Sequence, residues 1–407
     1  MADLDINFVP VEGKSKRYYI AVAVFAVIAL TGIISFIISY IAGHHTFGAN
    51  NQIPWGLPIV VAIYLIGLSA GLHILAFLIY IMGHDHYKQV IRVAVFLAVI
   101  LIFGAMISIG IELGRIEKMW RLFTFGYLNN MQSMLALNSI FYSCYFLSAV
   151  IYLGSLLTNK KRFSMIMGMV AFFWAMATHG GTGAIFGFIS SREPWFSPLS
   201  PFEFILAAFV SSIALLVLVL LIIFKTTNRP LRSDIVSSLG GLLKIFLICL
   251  IIVMVIGELT HLYSPEREGI MFMITGPYSW AFWILQVGMG IVIPMVILFH
   301  PKTKGSNRYI VAACISVVIG VFVKRLYLVI AGLAYPQHYY PGEIEGIWGQ
   351  VGSYSLAPVE ILLCIGIFGL LALLYTVGLK FMDLLPERVE AEPVAEPVIE
   401  ESAAPQE

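Results

Sequence analysis

Ten stretches of this chain are apolar for long enough to cross a lipid bilayer, and nothing else constrains its fold as strongly. They span 18–42, 57–83, 93–113, 131–157, 164–188, 203–225, 235–263, 279–300, 309–335 and 358–384. A membrane-spanning helix needs about 20 apolar residues. Inside the bilayer every backbone N–H and C=O must be satisfied internally, so only helices or a closed barrel will do. None of the ten runs alternates as a barrel strand must. The expectation is therefore an all-α polytopic membrane protein with ten transmembrane helices. Only 12% of the 407 residues are charged. Soluble domains carry about 25%, which leaves almost no soluble mass here.

Charge sets the orientation. Sixteen of the 24 Lys and Arg fall on one side of this topology, among them Lys14, Lys16, Arg17, Lys160, Lys161 and Arg162. The other side holds five, Arg115, Lys118, Arg121, Arg192 and Arg267. The positive-inside rule then puts both termini in the cytoplasm of a cell membrane. Three parts are expected: a cytoplasmic segment 1–17, a ten-helix domain 18–385, and an acidic Pro- and Ala-rich tail 386–407 that should be disordered. No cleavable signal peptide is expected. A net charge of +1 gives no reason to expect a nucleic-acid partner. Cys144, Cys249, Cys314 and Cys364 are isolated, with no CxxC pair. The chain should bind no haem, iron–sulfur cluster or other metal. His44-His45 is too sparse to be a metal site, and His84-Asp85-His86 reads as a solvated turn.

The candidate chemistry lies near the external ends of the spans. In HGGTGAIFGFISSREPWFSP, His179 sits among glycines at hydrophobic depth, and Arg192 and Trp195 follow in a polar turn. An ionisable group at that depth is by default a functional hypothesis. Glu112 and Arg115 are three apart, as are Glu258 and His261, spacings that share one helix face. These six ionisable groups can lie at one level and form a shared pocket. His73, Lys324 and Arg325 lie deeper and could form a proton path from the cytoplasm. Lys244 reads as a snorkelling side chain. Each set also has a plain structural reading: an ion pair closing a helix, an interfacial hydrogen bond, or a glycine-rich packing seam. Trp55, Trp120, Tyr127, Tyr278, Trp280 and Trp348 fit an interfacial aromatic belt.

Four motifs then occur in order: PWGLPIVVAIYLIGLSAGLHILAF, IELGRIEKMWRLF, THGGTGAIFGF with REPWFSPLSPFEFILAAFVSS, and GVFVKRLYLVIAGLAYP. Together they resemble the NrfD/PsrC family of membrane subunits over nearly the whole chain. The resemblance implies a quinone-interacting subunit with menaquinone or menaquinol as substrate and no redox centre of its own. It implies an external ferredoxin-like iron–sulfur partner, with a multihaem cytochrome c, a cytochrome b-type membrane subunit and a catalytic iron–sulfur subunit. Among such assemblies the pattern is most similar to the DsrMKJOP type of sulfur metabolism, with Hmc and Qrc types as alternatives. The roles expected are proton exchange with the quinone at Glu112 and His179, and carboxylate or carbonyl contacts from Arg115 and Arg192, beside Trp195. Glu258 with His261 would lead to the external phase, and His73, Lys324 and Arg325 inward. One departure stands out: polysulfide-reductase-type members hold quinone with an Asn and a His upstream of the GLSAG-like motif. Here 59–64 is apolar except for Tyr64. A secondary transporter, or a membrane cytochrome b with paired axial histidines, remains the reading from other classes.

Overall fold

The computed structural model describes residues 7–81, 87–126, 130, 132–229, 231–265, 267–301, 306–337 and 349–387. All ten expected spans are helices within these residues. They are α1 (Lys16–Ala42), α2 (Leu57–Ile81), α3 (Lys88–Glu112), α4 (Met134–Leu157) and α5 (Lys161–Gly187). After them come α6 (Ser200–Thr226), α7 (Ser233–Leu262), α8 (Ala281–Phe299), α9 (Asn307–Ala334) and α10 (Pro358–Phe381). The first part of α8, Ala281–Val292, is wound as a π-helix. A short helix, Arg267–Thr275, lies between α7 and α8. Ser15 and Ser133 cap α1 and α4 by accepting the N–H groups of Tyr18 and Ala136.

The first and last described segments meet. Strand β1 (Phe8–Val9) pairs antiparallel with β2 (Leu385–Pro386). Arg92 donates to the Asp383 carbonyl at 2.8 Å and lies 4.0 Å over the Phe8 ring. Arg229 donates to the Pro386 carbonyl at 2.7 Å. Arg92 and Arg229 thus hold a clasp at what we term the terminal face. The other end of the bundle is the opposite face.

Helix α2 is the hub. It is apolar all round and 94% of its span is buried, as expected for a helix surrounded by others. It packs on α3, α5, α6, α9 and α10. Helices α2–α5 form one four-helix group, and α6–α9 form a second beside it. The second group closes weakly between α7 and the π-wound part of α8, and this is where the cleft described below opens. Helix α1 packs mainly on α10, where Gly32 and Gly366 bring the two backbones together.

Candidate functional site

On the opposite face the loop after α5 folds back over the bundle and is locked to α9. Trp195 donates its indole N–H to the Leu328 carbonyl at 2.7 Å. Its ring stacks on Trp55 at 5.9 Å and meets Phe186 edge-on at 4.9 Å. Any side chain at position 332 would strike the indole, so the seat requires Gly332. Arg192 reaches the carbonyls of Leu333 and Tyr335 at 3.3 and 3.5 Å. Tyr335 donates to Glu193 at 2.8 Å. Burial, and then the Glu193 carboxylate, push the Tyr335 phenol above its ordinary range.

Beneath this loop a cleft runs between α6, α7 and α9, with the short helix and α8 at its side. Its polar wall comprises Glu203, Glu258, His261, Gln286 and Lys324. Trp195, Met254, Met273 and Tyr327 supply much of the rest. Lys324 forms an ion pair with Glu203. Lys324 lies ten positions before the end of α9, roughly 15 Å below that end at 1.5 Å per residue. Glu203 is in the first turn of α6. The lysine stem therefore runs outward to a carboxylate near the interface. Glu258 and His261 occupy the last turns of α7 and both line the cleft. Gln286 directs its amide nitrogen at the Met254 sulfur, 3.5 Å away. Tyr327 donates to the Met273 carbonyl at 2.6 Å.

The expected level of six ionisable groups divides into separate neighbourhoods. Glu258 and His261 join the cleft with Lys324, whereas Glu112, His179 and Arg192 do not line it. Glu112 ends α3 and accepts the Gly56 N–H at 2.6 Å. Gly114 then turns the chain at φ +71°, and Arg115 stands off the helix, exposed. The shared helix face expected for Glu112 and Arg115 is thus absent, because the helix ends between them. The neighbour of Glu112 is instead Glu360, which is fully buried. Glu360 accepts from the Leu57 N–H (2.5 Å), the Gly48 N–H (3.0 Å) and the Tyr354 hydroxyl (2.5 Å). The two carboxyls sit at the N-terminus of α2, where the helix dipole favours negative charge.

His179 is fully buried against Gly67 of α2, and its ring lies 5.5 Å from Phe204. Arg325 lies over that same Phe204 ring at 3.8 Å. Arg325 thus belongs with His179 in the outer half, and Lys324 with the cleft. The described contacts of Lys324 and Arg325 thus differ from one another and from those of His73. Consecutive residues point in different directions around α9. His73 hydrogen-bonds Tyr145 at 3.0 Å, and Tyr145 in turn meets Ser69 at 2.8 Å. The described contacts of His73 are in the α2–α4 core. The tight seats of His73 and His179, against Tyr145 and Gly67, differ from the facing pair a haem would need. Lys244 lies 5.5 Å from the Phe299 ring. The described cysteines are free thiols, and no three of His, Cys, Asp and Glu gather among the described residues. His84-Asp85-His86, Tyr127, Trp348 and the tail beyond 387 lie outside the described residues. Sequence reasoning missed Glu203, Gln286 and Glu360. Glu203 and Glu360 each stand in a first helical turn beside proline, where an acidic residue reads as a helix-dipole partner.

Ten apolar helices around a buried hub, with ionisable groups gathered in a cleft near one face, define a multi-pass integral membrane protein with a polar site at one membrane boundary. The family model described as "Polysulphide reductase, NrfD" matches residues 45–337, and the chain belongs to that family. It is 32% identical to the Hdr-like menaquinol oxidoreductase integral membrane subunit of Archaeoglobus fulgidus, over 96% of this chain and 100% of that one. It is 27% identical to a selenate reductase subunit of Mesobacillus selenatarsenatis, over 92% and 96%. It is 24% identical to the integral membrane subunit of menaquinone reductase from Nitratidesulfovibrio vulgaris, over 84% and 86%.

Proposed function

We propose that this chain is the quinol-handling membrane subunit of a respiratory complex, and that the α6–α7–α9 cleft takes the headgroup of menaquinol. The observation that carries the reading is that the Lys324–Glu203 pair, Glu258 and His261 line one cleft, which the loosely packed second helix group leaves open. The names of two relatives, a menaquinol oxidoreductase and a menaquinone reductase, support the ligand class. Menaquinol oxidised at the site gives up two electrons and two protons. Lys324 donates a hydrogen bond to one ring oxygen, and Glu258 accepts the two protons in turn and passes each with His261 to the opposite face. Trp195, seated on Trp55 and Phe186, fixes the roof. The cleft measures about 70 Å³, against roughly 300 Å³ or more for ligand pockets, so entry requires side chains to move. Met254 and Met273, both flexible, flank it.

In this reading the terminal face is cytoplasmic and the membrane is the cell membrane. A ferredoxin-like iron–sulfur subunit docks on the opposite face and receives the electrons. The assembly is of the sulfur-metabolism type, with this chain in the DsrP position. Its other members are a multihaem cytochrome c, a cytochrome b-type subunit and a catalytic iron–sulfur subunit. Arg192 holds the roof loop. His179 with Arg325, and Glu112 with Glu360, shape the walls behind the site. Ser69, Tyr145 and His73 form the inner part of a proton path.

The test is quinol-dependent reduction of the partner in the purified complex. Glu258→Gln should slow it about a hundredfold, the scale of a lost general base. Lys324→Met should slow it by a similar factor while the complex still assembles. Wild-type turnover in both variants would remove the cleft from the reaction.

A further inference from the structure

We infer that Gln286 is the hydroxyl acceptor by which the cleft selects the reduced, hydroquinone form of its ligand over the quinone form; this rests on the reading of the cleft as a quinol site.

Gln286 is placed by an unusual piece of backbone. Residues Ala281–Val292 of α8 are π-wound over twelve residues, where π-turns mostly occur singly and often at functional sites. The winding widens the helix and redirects its side chains. Gly290 of this segment approaches Gly320 of α9 so closely that a Cβ at Gly290 would meet the Gly320 Cα at 3.1 Å. The π-segment is thus held against α9, and Gln286 is 4% exposed in the cleft wall.

The amide has one satisfied end. Its Nε2 donates to the Met254 sulfur at 3.5 Å. A thioether can only accept, so the nitrogen belongs on that side and the oxygen on the other. That Oε1 is buried with no hydrogen-bond donor among the described residues. Of the nearby donors, the Lys324 ammonium is directed at Glu203 and the Tyr327 hydroxyl at the Met273 carbonyl. Glu258, one turn from the end of α7, lies nearer the mouth.

A buried, unpaired acceptor discriminates between the two redox forms. A quinone ring presents carbonyl oxygens, which only accept and would face Oε1 like against like. A hydroquinone presents O–H groups, which donate. A site built to pair with a hydroxyl disfavours the analogue lacking it, because its own polar group is then left unpaired. The cleft therefore binds quinol more tightly than quinone.

The experiment is anaerobic titration calorimetry of the full-length protein in lipid nanodiscs, with naphthohydroquinone and naphthoquinone as probes and Lys324→Met as the control for the site. Wild type should bind the hydroquinone about tenfold more tightly than the quinone, the scale of one hydrogen bond. Gln286→Met, of similar length but without the acceptor, should weaken the hydroquinone about tenfold and leave the quinone unchanged. Gln286→Glu, whose buried carboxyl stays protonated and so can donate as well as accept, should lose the preference by gaining affinity for the quinone. Equal wild-type affinities, or a Gln286→Met variant that weakens both probes alike, would overturn the assignment while leaving the quinol site standing. Binding of neither probe, or binding indifferent to Lys324→Met, would overturn the quinol site itself. If Gln286→Met does not fold, the wild-type ratio with Gln286→Glu decides the question.

Discussion

A lysine at the depth of Lys324 keeps its charge only if something answers it, and Glu203, 121 positions away in sequence, does so. Removing one member of a buried pair leaves the other uncompensated, at a cost of about 3–5 kcal/mol, whereas removing both costs far less. Lys324→Met and Glu203→Gln should therefore each lower the thermal midpoint in detergent, and the double variant should recover most of the loss. Additive losses would show that the two side chains do not act as a pair. Tyr354 offers a second test. Burial, and then its hydrogen bond to Glu360, raise its phenol above the ordinary value near 10. The folded form keeps this proton where the unfolded form loses it, so stability falls as pH rises past about 10. Tyr335 adds to the same decline. Tyr354→Phe should be less stable at neutral pH yet lose less between neutral and strongly alkaline conditions, measured by thermal melts across pH. Glu258 and His261 could be read together from sequence because both lie on one helix turn, and both line the cleft. Glu203 could not, because its partner is on another helix. Gln286 carries no charge and sits in an apolar run.

At the level of the helix, apolar length located all ten spans, and a few residues at the ends moved. The expected start of the sixth span at 203 lies three residues inside α6, which begins at Ser200. That shift puts Glu203 in a first turn. Hydropathy says nothing about which helices are neighbours or which way a residue faces. Counting depth along α9 therefore grouped Lys324 and Arg325 together, although one faces the cleft and the other Phe204. The π-winding of α8 was equally hidden, since its residues are as apolar as those of any other span. The α1–α10 pair tests packing at this scale. Gly32 and Gly366 touch backbone to backbone, and α1 is only 17% buried. Overpacking such a contact costs about 1–3 kcal/mol. Gly366→Leu should expose α1 to limited proteolysis while the remaining helices stay protected. Unchanged proteolysis would mean that the glycine contact does not hold α1.

At the scale of the molecule, the family match over 45–337 spans α2–α9, the two four-helix groups, with α1 and α10 outside it. The first group is organised around α2. The second is looser and carries the cleft. Helix α10 still matters to the first, because Glu360 holds the backbone at Gly48 and Leu57. Glu360→Ala should loosen the opposite face of the first group and speed amide exchange there, with little effect on the terminal-face clasp. The central claim is that a quinol headgroup docks between α6, α7 and α9. The most direct measurement is photo-crosslinking of the purified protein with a photoreactive menaquinone analogue, followed by peptide mapping. The label should fall on the stretches around Trp195–Glu203, Met254–His261 and Lys324–Leu328 and be displaced by excess menaquinol. Label concentrated around Glu112 and Trp55, or label that menaquinol does not displace, would contradict the account.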